Sequence, residues 1–290
     1  MKDYWSEYWA QGYITSFGQD IKDNYSGKLK ECWEGFSSTL NADATILDIG
    51  TGNGALIDLI NNSRVHSFTF FAVDQAQLKE DIIKNLPGTF IPNTNAENLP
   101  FEDELFDAVV SQFAIEYSDL HASIKECGRV LKKGGAYQFI CHEKDSDIVT
   151  PNVDILASAK RIQNTFLNEL HQLIMCIKKG DEKLSEKIDS IELLIKEENL
   201  INPYAFNATL FPSFYEFVLS NRKIDLERAF TLFNKELEGL IFRLSDLENA
   251  AKNSNEILGY INEYNLSVST EKLIDKNKQY IGTLYQGYKL

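Results

Sequence analysis

Basic residues are scarce in this chain: 29 lysines and arginines stand against 43 aspartates and glutamates, a formal net charge of -14. Nucleic-acid binding needs a basic surface that releases phosphate counterions, so no nucleic-acid partner is expected, and no anionic membrane for the same reason. Acidity alone does not identify a cationic substrate, because it commonly just keeps a protein soluble. Cysteine is sparse as well. Cys32, Cys127, Cys141 and Cys176 are scattered, with no C-x-x-C pair and no histidine at ligand spacing. That removes a disulfide framework and a structural zinc from the expectation, leaves reduced thiols in the cytoplasm, and gives no reason to expect a metal. No apolar run reaches the ~20 residues a membrane-spanning helix needs. The opening MKDYWSEYWAQGYITSFG is broken by acids and glycines, unlike a signal peptide.

What is present is ILDIGTGNG, Ile46 to Gly54, followed by FFAVDQ with Asp74 twenty residues beyond the last glycine. An apolar run ending in Asp48 reads as a buried strand, and Gly50, Gly52 and Gly54 let the backbone turn tightly against a ligand. The stretch Ala55 to Ile60 starts a helix. Asp74 closes a second apolar run, Phe68 to Val73, where a carboxylate can accept both hydroxyls of a ribose. Two ligand classes fit this much, because Gly50, Gly52 and Ala55 also satisfy the dinucleotide pattern G-x-G-x-x-G/A.

The stretch NAENLPFEDELFDAVVSQFAIEY adds a polar loop from Asn95, the segment Leu99-Pro100-Phe101, and a strand over Phe106 to Val110 that opens into Gln112 and Phe113. RVLKKGGAYQFICH then gives an amphipathic helix ending at Lys132-Lys133, a Gly134-Gly135 turn and a fifth strand from Tyr137 to Cys141. Together, over about Asp43 to His142, these resemble class I S-adenosylmethionine-dependent methyltransferases. The resemblance implies an α/β, Rossmann-like seven-stranded methyltransferase sheet. It implies S-adenosyl-L-methionine as cofactor, with S-adenosyl-L-homocysteine as product.

Carried onto this chain, the resemblance places Asp48 near the methionine end of the cofactor and the turn Gly50, Thr51, Gly52 and Gly54 against it. Asp74, with Gln75 after it, takes the ribose. Asn95 stands where the family usually has an aspartate that accepts from the adenine amino group; its amide oxygen can accept the same bond. Ala96 offers a backbone amide to the ring, Glu97 matches a common acid of this loop, and Gln112 and Phe113 flank the methyl donor. No second glycine-rich strand-turn-helix is visible, which disfavours a dinucleotide dehydrogenase.

The N-terminal segment carries Tyr4, Trp5, Tyr8, Trp9, Tyr13 and Phe17, then Tyr25 and Trp33. Such aromatic density resembles the leader that folds over the cofactor in methyltransferases, with Tyr13 and Tyr25 as candidate contacts; amphipathic helices packed on the sheet explain it equally. Residues 1–40 are therefore expected as a helical cap. The α/β core is expected over 41–150 and 253–290, and a helical insertion, or lid, over 151–252. In the insertion, Leu226, Phe230, Phe233, Leu237, Leu240, Leu244 and Leu247 share one helical face. A bundle is favoured over a coiled coil, and a homodimer, where one forms, would use this insertion. The segment FPSFYEFV supplies Phe211, Phe214 and Tyr215 as candidate substrate-pocket residues, beside Tyr117. The chain then returns to the core through a helix at Asn255 to Tyr264 and strands at Thr270 to Ile274 and Gln279 to Tyr288.

Methyl transfer is an in-line displacement at a sulfonium methyl, so the protein must align the nucleophile, exclude water and provide a base where the nucleophile carries a proton. Glu116 and His142 are the candidate catalytic residues, His142 as a base near neutral pH. His66, His121 and His171 read as surface or helix-face residues. The expected substrate is a small molecule accepted through O, N or S. A protein or peptide methyltransferase docking through the insertion and a noncatalytic adenosyl-binding scaffold are the alternatives.

Overall fold

The computed structural model describes residues 4–17, 23–63, 67–221 and 224–290, which divide into two units, Met1–Val149 with Asn249–Leu290, and Thr150–Glu248. In chain order the elements are α1 (Tyr4–Ala10), α2 (Gly27–Ser37), β1 (Thr45–Ile49), α3 (Ala55–Ser63), β2 (Thr69–Val73), α4 (Glu80–Ile83), β3 (Thr89–Ile91), β4 (Phe106–Gln112), α5 (Leu120–Val130) and β5 (Leu131–Cys141). There follow α6 (Val149–Arg161), a π-turn at Ile162–Phe166, α7 (Leu167–Lys179), α8 (Leu184–Ile201), α9 (Pro203–Ala208), α10 (Phe211–Ser220) and α11 (Leu226–Asn253). The chain closes with α12 (Ile257–Glu263), β6 (Ser269–Ile274) and β7 (Tyr280–Tyr288).

The first unit is built on one sheet of order β3-β2-β1-β4-β5-β7-β6. Strands β1 to β5 pair in parallel, while β7 runs antiparallel to β5 and β6 antiparallel to β7. This is the Rossmann-like seven-stranded sheet that the resemblance implies. A parallel sheet buried on both faces needs apolar side chains pointing both ways, and β1 supplies them. Ile46 packs on one side with Trp33 and Phe36 of α2 and Leu56, Ile57 and Ile60 of α3. Leu47 and Ile49 pack on the other with Ile124 and Cys127 of α5 and Ile257 and Ile261 of α12. Fully burying side chains of this size stabilises by about 1.5–3 kcal/mol each. The chain order reverses between β1 and β4, so their carboxyl ends open the crevice where ligands of such sheets bind.

One local reading of the sequence is corrected. Helix α5, capped by the Asp119 carboxylate on Ala122 N–H, ends at Val130 and not at Lys132-Lys133. Leu131 already pairs with Phe106, because the sheet edge beside β4 claims the chain before the helix can run on. The next partners are Ala108 and Ala136, so residues 132–135 bulge out of the strand, with Gly134 at φ 73.

The second unit is helical. Its interior gathers Ile162, Phe166, Leu170 and Leu173 with Ile191, Phe206, Phe211, Val218 and Leu237. The π-turn adds a residue to the helical repeat, which keeps Ile162 and Phe166 on the buried face that Leu170 and Leu173 continue. Gly180, at φ 64, ends α7 in the left-handed conformation. Asn202 caps α9 by accepting from Ala205 N–H, ahead of Pro203 at the first helical position. Among the described residues no helix is long and apolar enough to cross a membrane.

Candidate cofactor site at the carboxyl edge of the sheet

The glycine turn leaves β1 by a path only small residues allow. Gly50 sits at φ 71, and a Cβ there would overlap the Cβ of Ala114. Gly50 and Thr51 N–H both donate to the Val73 carbonyl, at 2.9 and 3.1 Å, which ties the turn to the end of β2. Just past β2, Asp74 accepts from Gly52 N–H at 2.7 Å and from Ala76 N–H at 2.8 Å. Asp74 thus shapes the glycine turn from the end of the neighbouring strand.

Inside the turn Asn53 is fully buried. Its amide donates to the carbonyls of Trp9 and Tyr13 at 3.0 and 2.7 Å and accepts from Lys79 N–H at 3.1 Å. Asn53 therefore pins the N-terminal segment over the site. Sequence reasoning missed it, although a polar residue amid three glycines was the available signal. That segment forms an aromatic cluster: Trp9 stands edge-on to Tyr8 at 5.1 Å, and Trp5 stands edge-on to Tyr117 at 5.8 Å. Tyr13 contributes its carbonyl and a ring packed on Tyr8.

A pocket of about 370 Å³ of empty space, part of it continuous with solvent, opens here. Asp48, Gly50, Thr51, Tyr25, Gln112 and Phe113 line it, as the sequence suggested, and Trp9, Ile14, Ser16, Ala55 and Leu56 join them. Three of the lining groups are buried polar atoms without a hydrogen-bond partner: Asp48 Oδ2, Thr51 Oγ1 and Gln112 Nε2. Such orphans cost about 1–3 kcal/mol each unless a ligand or water answers them. Burial pushes the Asp48 carboxyl up to about 7, the nearby Thr51 hydroxyl opposing the rise and the Asp74 charge adding to it. Burial likewise pushes the Tyr25 hydroxyl up to about 12, against the influence of Gln112 and Ser16 beside it.

Phe113, at the end of β4, holds φ 54, a left-handed backbone that a bulky side chain adopts only under constraint. The conformation directs its N–H to the Ile140 carbonyl at 2.7 Å and its ring flat onto His142, with centroids 4.2 Å apart. Glu116 is fully buried, and its Oε1 accepts from His142 N–H at 2.8 Å while Oε2 has no partner. Burial pushes its carboxyl up to about 7, although the His142 amide favours the charged form. Burial also drives the His142 imidazole down to about 3. Burial thus works against the expectation that His142 takes a proton near neutral pH. Tyr117 stands edge-on to His142 at 6.1 Å and so joins this group to Trp5.

Other predicted residues lie elsewhere. Gly52, Gly54, Asp74 and Tyr13, the candidate catalytic Glu116 and His142, and Tyr117, Gln75, Asn95, Ala96 and Glu97 are not among the lining residues of the pocket. Gln75 and Asn95 are exposed, Ala96 packs against the core, and Glu97 accepts from Asp119 N–H at 2.9 Å, steadying the start of α5. Phe211, Phe214 and Tyr215 belong to the hydrophobic interior of the helical unit, where Phe214 stacks on Phe233 at 4.4 Å. Their aromatic surface is used for packing, which corrects their expected place in a substrate pocket. His121 is exposed and pairs with Glu263, His171 stacks on Phe230, and His66 lies outside the described residues. Among the described residues no group of three acids, histidines or cysteines is arranged to hold a metal ion.

Comparison with known proteins agrees with this geometry. The family described as "Methyltransferase domain" matches residues 47–139. The chain is 26% identical over 172 residues to an uncharacterized Methanocaldococcus jannaschii protein, covering 57% of this chain and 64% of that one. It is 35% identical over 92 residues to a Thermotoga maritima demethylmenaquinone methyltransferase, covering 31% and 40%. The chain thus spans less than two thirds of the length of either relative. A solved Methanosarcina mazei S-adenosylmethionine-dependent methyltransferase is 13% identical over 88% of this chain and 96% of its own, with a TM-score of 0.44. The end of β1, its glycine turn and the acid after β2 all lie inside the range that matches the methyltransferase domain family.

Proposed function

We propose that the protein transfers the methyl group of S-adenosylmethionine to an O, N or S nucleophile of a small molecule. The observation that carries the reading is the set of unanswered polar atoms in the pocket beside the glycine turn. Asp48 Oδ2 is an acceptor, Gln112 Nε2 a donor and Thr51 Oγ1 either. An amino-acid tail with one ammonium and one carboxylate matches them, and Asp74 stands at the end of the neighbouring strand for a ribose. The residues present therefore fit the cofactor, which when bound supplies an electrophilic methyl on a sulfonium.

What the chain itself contributes is placement and exclusion of water. Trp9, Tyr25 and Phe113 give the pocket an aromatic lining that suits a sulfonium, whose charge is attracted to ring faces. Where the nucleophile carries a proton, Glu116 is the better candidate of the two to remove it, although neither Glu116 nor His142 lines the pocket. A carboxylate titrating at about 7 is half ionised at neutral pH, whereas an imidazole at about 3 is a weak base there. His142 instead keeps Phe113 flat and donates its amide to Glu116.

A small-molecule substrate is supported by the acidic surface and by the Thermotoga maritima relative, whose name specifies demethylmenaquinone. The helical unit, which follows β5 in the chain, is read as a contributor to substrate choice. Four free cysteines suit a cytoplasmic enzyme. Calorimetric titration with S-adenosylmethionine, S-adenosylhomocysteine and NAD tests the cofactor. Micromolar binding of the adenosyl ligands alone is expected and would justify a screen of metabolites for methyl acceptance. Preference for NAD, or no binding, would overturn the reading.

A further inference from the structure

Four amides of the glycine turn are engaged within the protein. Gly50 and Thr51 N–H are engaged by the Val73 carbonyl, Gly52 N–H by Asp74, and Gly54 N–H by the Thr51 carbonyl at 3.0 Å. With those four amides engaged, a side-chain donor on the pocket gains weight as the partner of an anionic group. Gln112 supplies one: it is 8% exposed, lines the pocket, and its Nε2, near the Tyr25 hydroxyl, makes no hydrogen bond of normal geometry.

The orientation of that amide is set from outside the pocket. Trp33 of α2 is fully buried and its Nε1–H donates to Gln112 Oε1 at 2.5 Å. An indole N–H can only donate, so it admits the carbonyl oxygen of Gln112 and excludes its NH2 group. Flipping the amide would set two donors against each other in a site without solvent, at the cost of a buried unsatisfied group. Trp33 is itself fixed, edge-on to Phe36 at 6.1 Å and packed among the buried residues between α2, α3 and the sheet. Asp48, on the same pocket, presents the acceptor Oδ2.

We propose that Trp33 is a positioning residue for the amino-acid tail of the cofactor: it holds Gln112 with its NH2 toward the pocket, where Gln112 binds the tail carboxylate while Asp48 takes the ammonium. The inference rests on the reading that the pocket binds S-adenosylmethionine. It assigns recognition of the carboxylate to a side chain locked by a tryptophan 79 residues away in the chain, in place of the engaged amides of the glycine turn.

The test compares two ligands that share adenosine and thioether and differ in the tail, S-adenosylhomocysteine and 5′-methylthioadenosine, by calorimetry on the full chain. Trp33→Phe keeps most of the ring volume and removes the N–H. It is expected to weaken S-adenosylhomocysteine about tenfold, the scale of one hydrogen bond to a charged group, and to leave methylthioadenosine within about twofold. Gln112→Glu keeps an acceptor for Trp33 and replaces the donor with a like charge, so a selective loss of at least about tenfold is expected. The second variant decides the matter alone where the first does not fold. Equal weakening of both ligands, the signature of a merely structural role, or unchanged S-adenosylhomocysteine affinity would overturn the proposal. Wild-type protein that binds both ligands equally well would overturn it while leaving the adenosyl site standing; wild-type protein that binds neither would remove the proposed function itself.

Discussion

The indole of Trp9 rests on the α-carbon of Gly52, so closely that a Cβ at position 52 would stand 2.6 Å from Trp9 Cζ2. Gly52 also donates its amide to Asp74, so Trp9, Gly52 and the acid after β2 form one contact chain. A ligand that settles on this edge must change the surroundings of Trp9. Titration with S-adenosylhomocysteine is expected to shift the tryptophan emission, and Trp9→Phe to abolish most of that shift. Gly52→Ala adds a clash to a backbone at φ 52, where a side chain costs roughly 1–2 kcal/mol. It should lower both thermal stability and ligand affinity. A full emission change in Trp9→Phe would show that the ligand does not reach this edge.

Asp74 has one observed role and one proposed role, and substitutions can separate them. Its carboxylate holds Gly52 and Ala76 N–H, and it stands where a ribose would be gripped. Asp74→Ala removes both duties and should weaken S-adenosylmethionine by at least about tenfold, since each charge-assisted bond is worth about 1.5–3 kcal/mol. Asp74→Asn retains one acceptor oxygen and should lie between. Isothermal titration gives the affinities and thermal unfolding gives the part due to loop integrity. An Asp74→Ala protein with wild-type affinity would remove the ribose assignment.

The elements that could be read from the sequence are those whose own residues encode their neighbours. Apolar β1 with its Asp48, the three glycines and Asp74 lie within 30 residues and need no distant partner to be recognised. Strand β3, Thr89–Ile91, is too short and too exposed to show an alternation, and only its register with β2 makes it a strand. The Trp33 to Gln112 bond was illegible for another reason: α2 and β4 meet only after the sheet is assembled. Burial produced the remaining misreadings. A histidine after a strand and an aromatic run in a helix look available for chemistry, yet His142 is 4% exposed and Phe211 fully buried.

The helical unit holds a buried ion pair whose contribution to stability can be measured. Glu198, 3% exposed at its side chain, accepts from Arg161 Nε at 2.8 Å and from Ser158 Oγ at 2.8 Å. Although burial opposes it, Arg161 and Ser158 hold the Glu198 carboxyl below the usual glutamate range. A depressed carboxyl contributes stability above its ordinary pKa and loses it as pH falls through the depressed value. Glu198→Gln keeps the shape and removes the charge, so a loss of about 1–3 kcal/mol is expected at neutral pH, lessened because Arg161 is partly solvated. Urea unfolding at pH ~7 and pH ~3 should show the deficit shrinking in acid. A deficit that stayed constant would mean that packing, and not charge, accounts for it.

Glu116 and His142 touch through one hydrogen bond yet pull stability in opposite directions with pH. Burial raises the Glu116 carboxyl to about 7, so the folded state holds the extra proton between the ordinary glutamate pKa and about 7, and stability falls as pH rises through that window. Burial lowers the His142 imidazole to about 3, so the unfolded chain binds the extra proton between about 3 and the ordinary histidine pKa, and stability falls as pH drops through that window. Glu116→Gln removes the first penalty, up to about 3 kcal/mol for such a shift. Relative to wild type it should gain stability steadily from pH ~5 to pH ~8. Asp48, also raised to about 7, keeps a similar slope in both proteins, so the gain appears in the difference between them. His142→Phe preserves the stack on Phe113 and should lessen the acid-side loss without altering the neutral-side slope. Thermal unfolding of the three proteins across this range separates the two groups. If methyl acceptance by an identified substrate rises with pH through about 7 in wild type and in His142→Phe but not in Glu116→Gln, Glu116 is the proton acceptor; a pH profile unmoved by Glu116→Gln would take that role away from it.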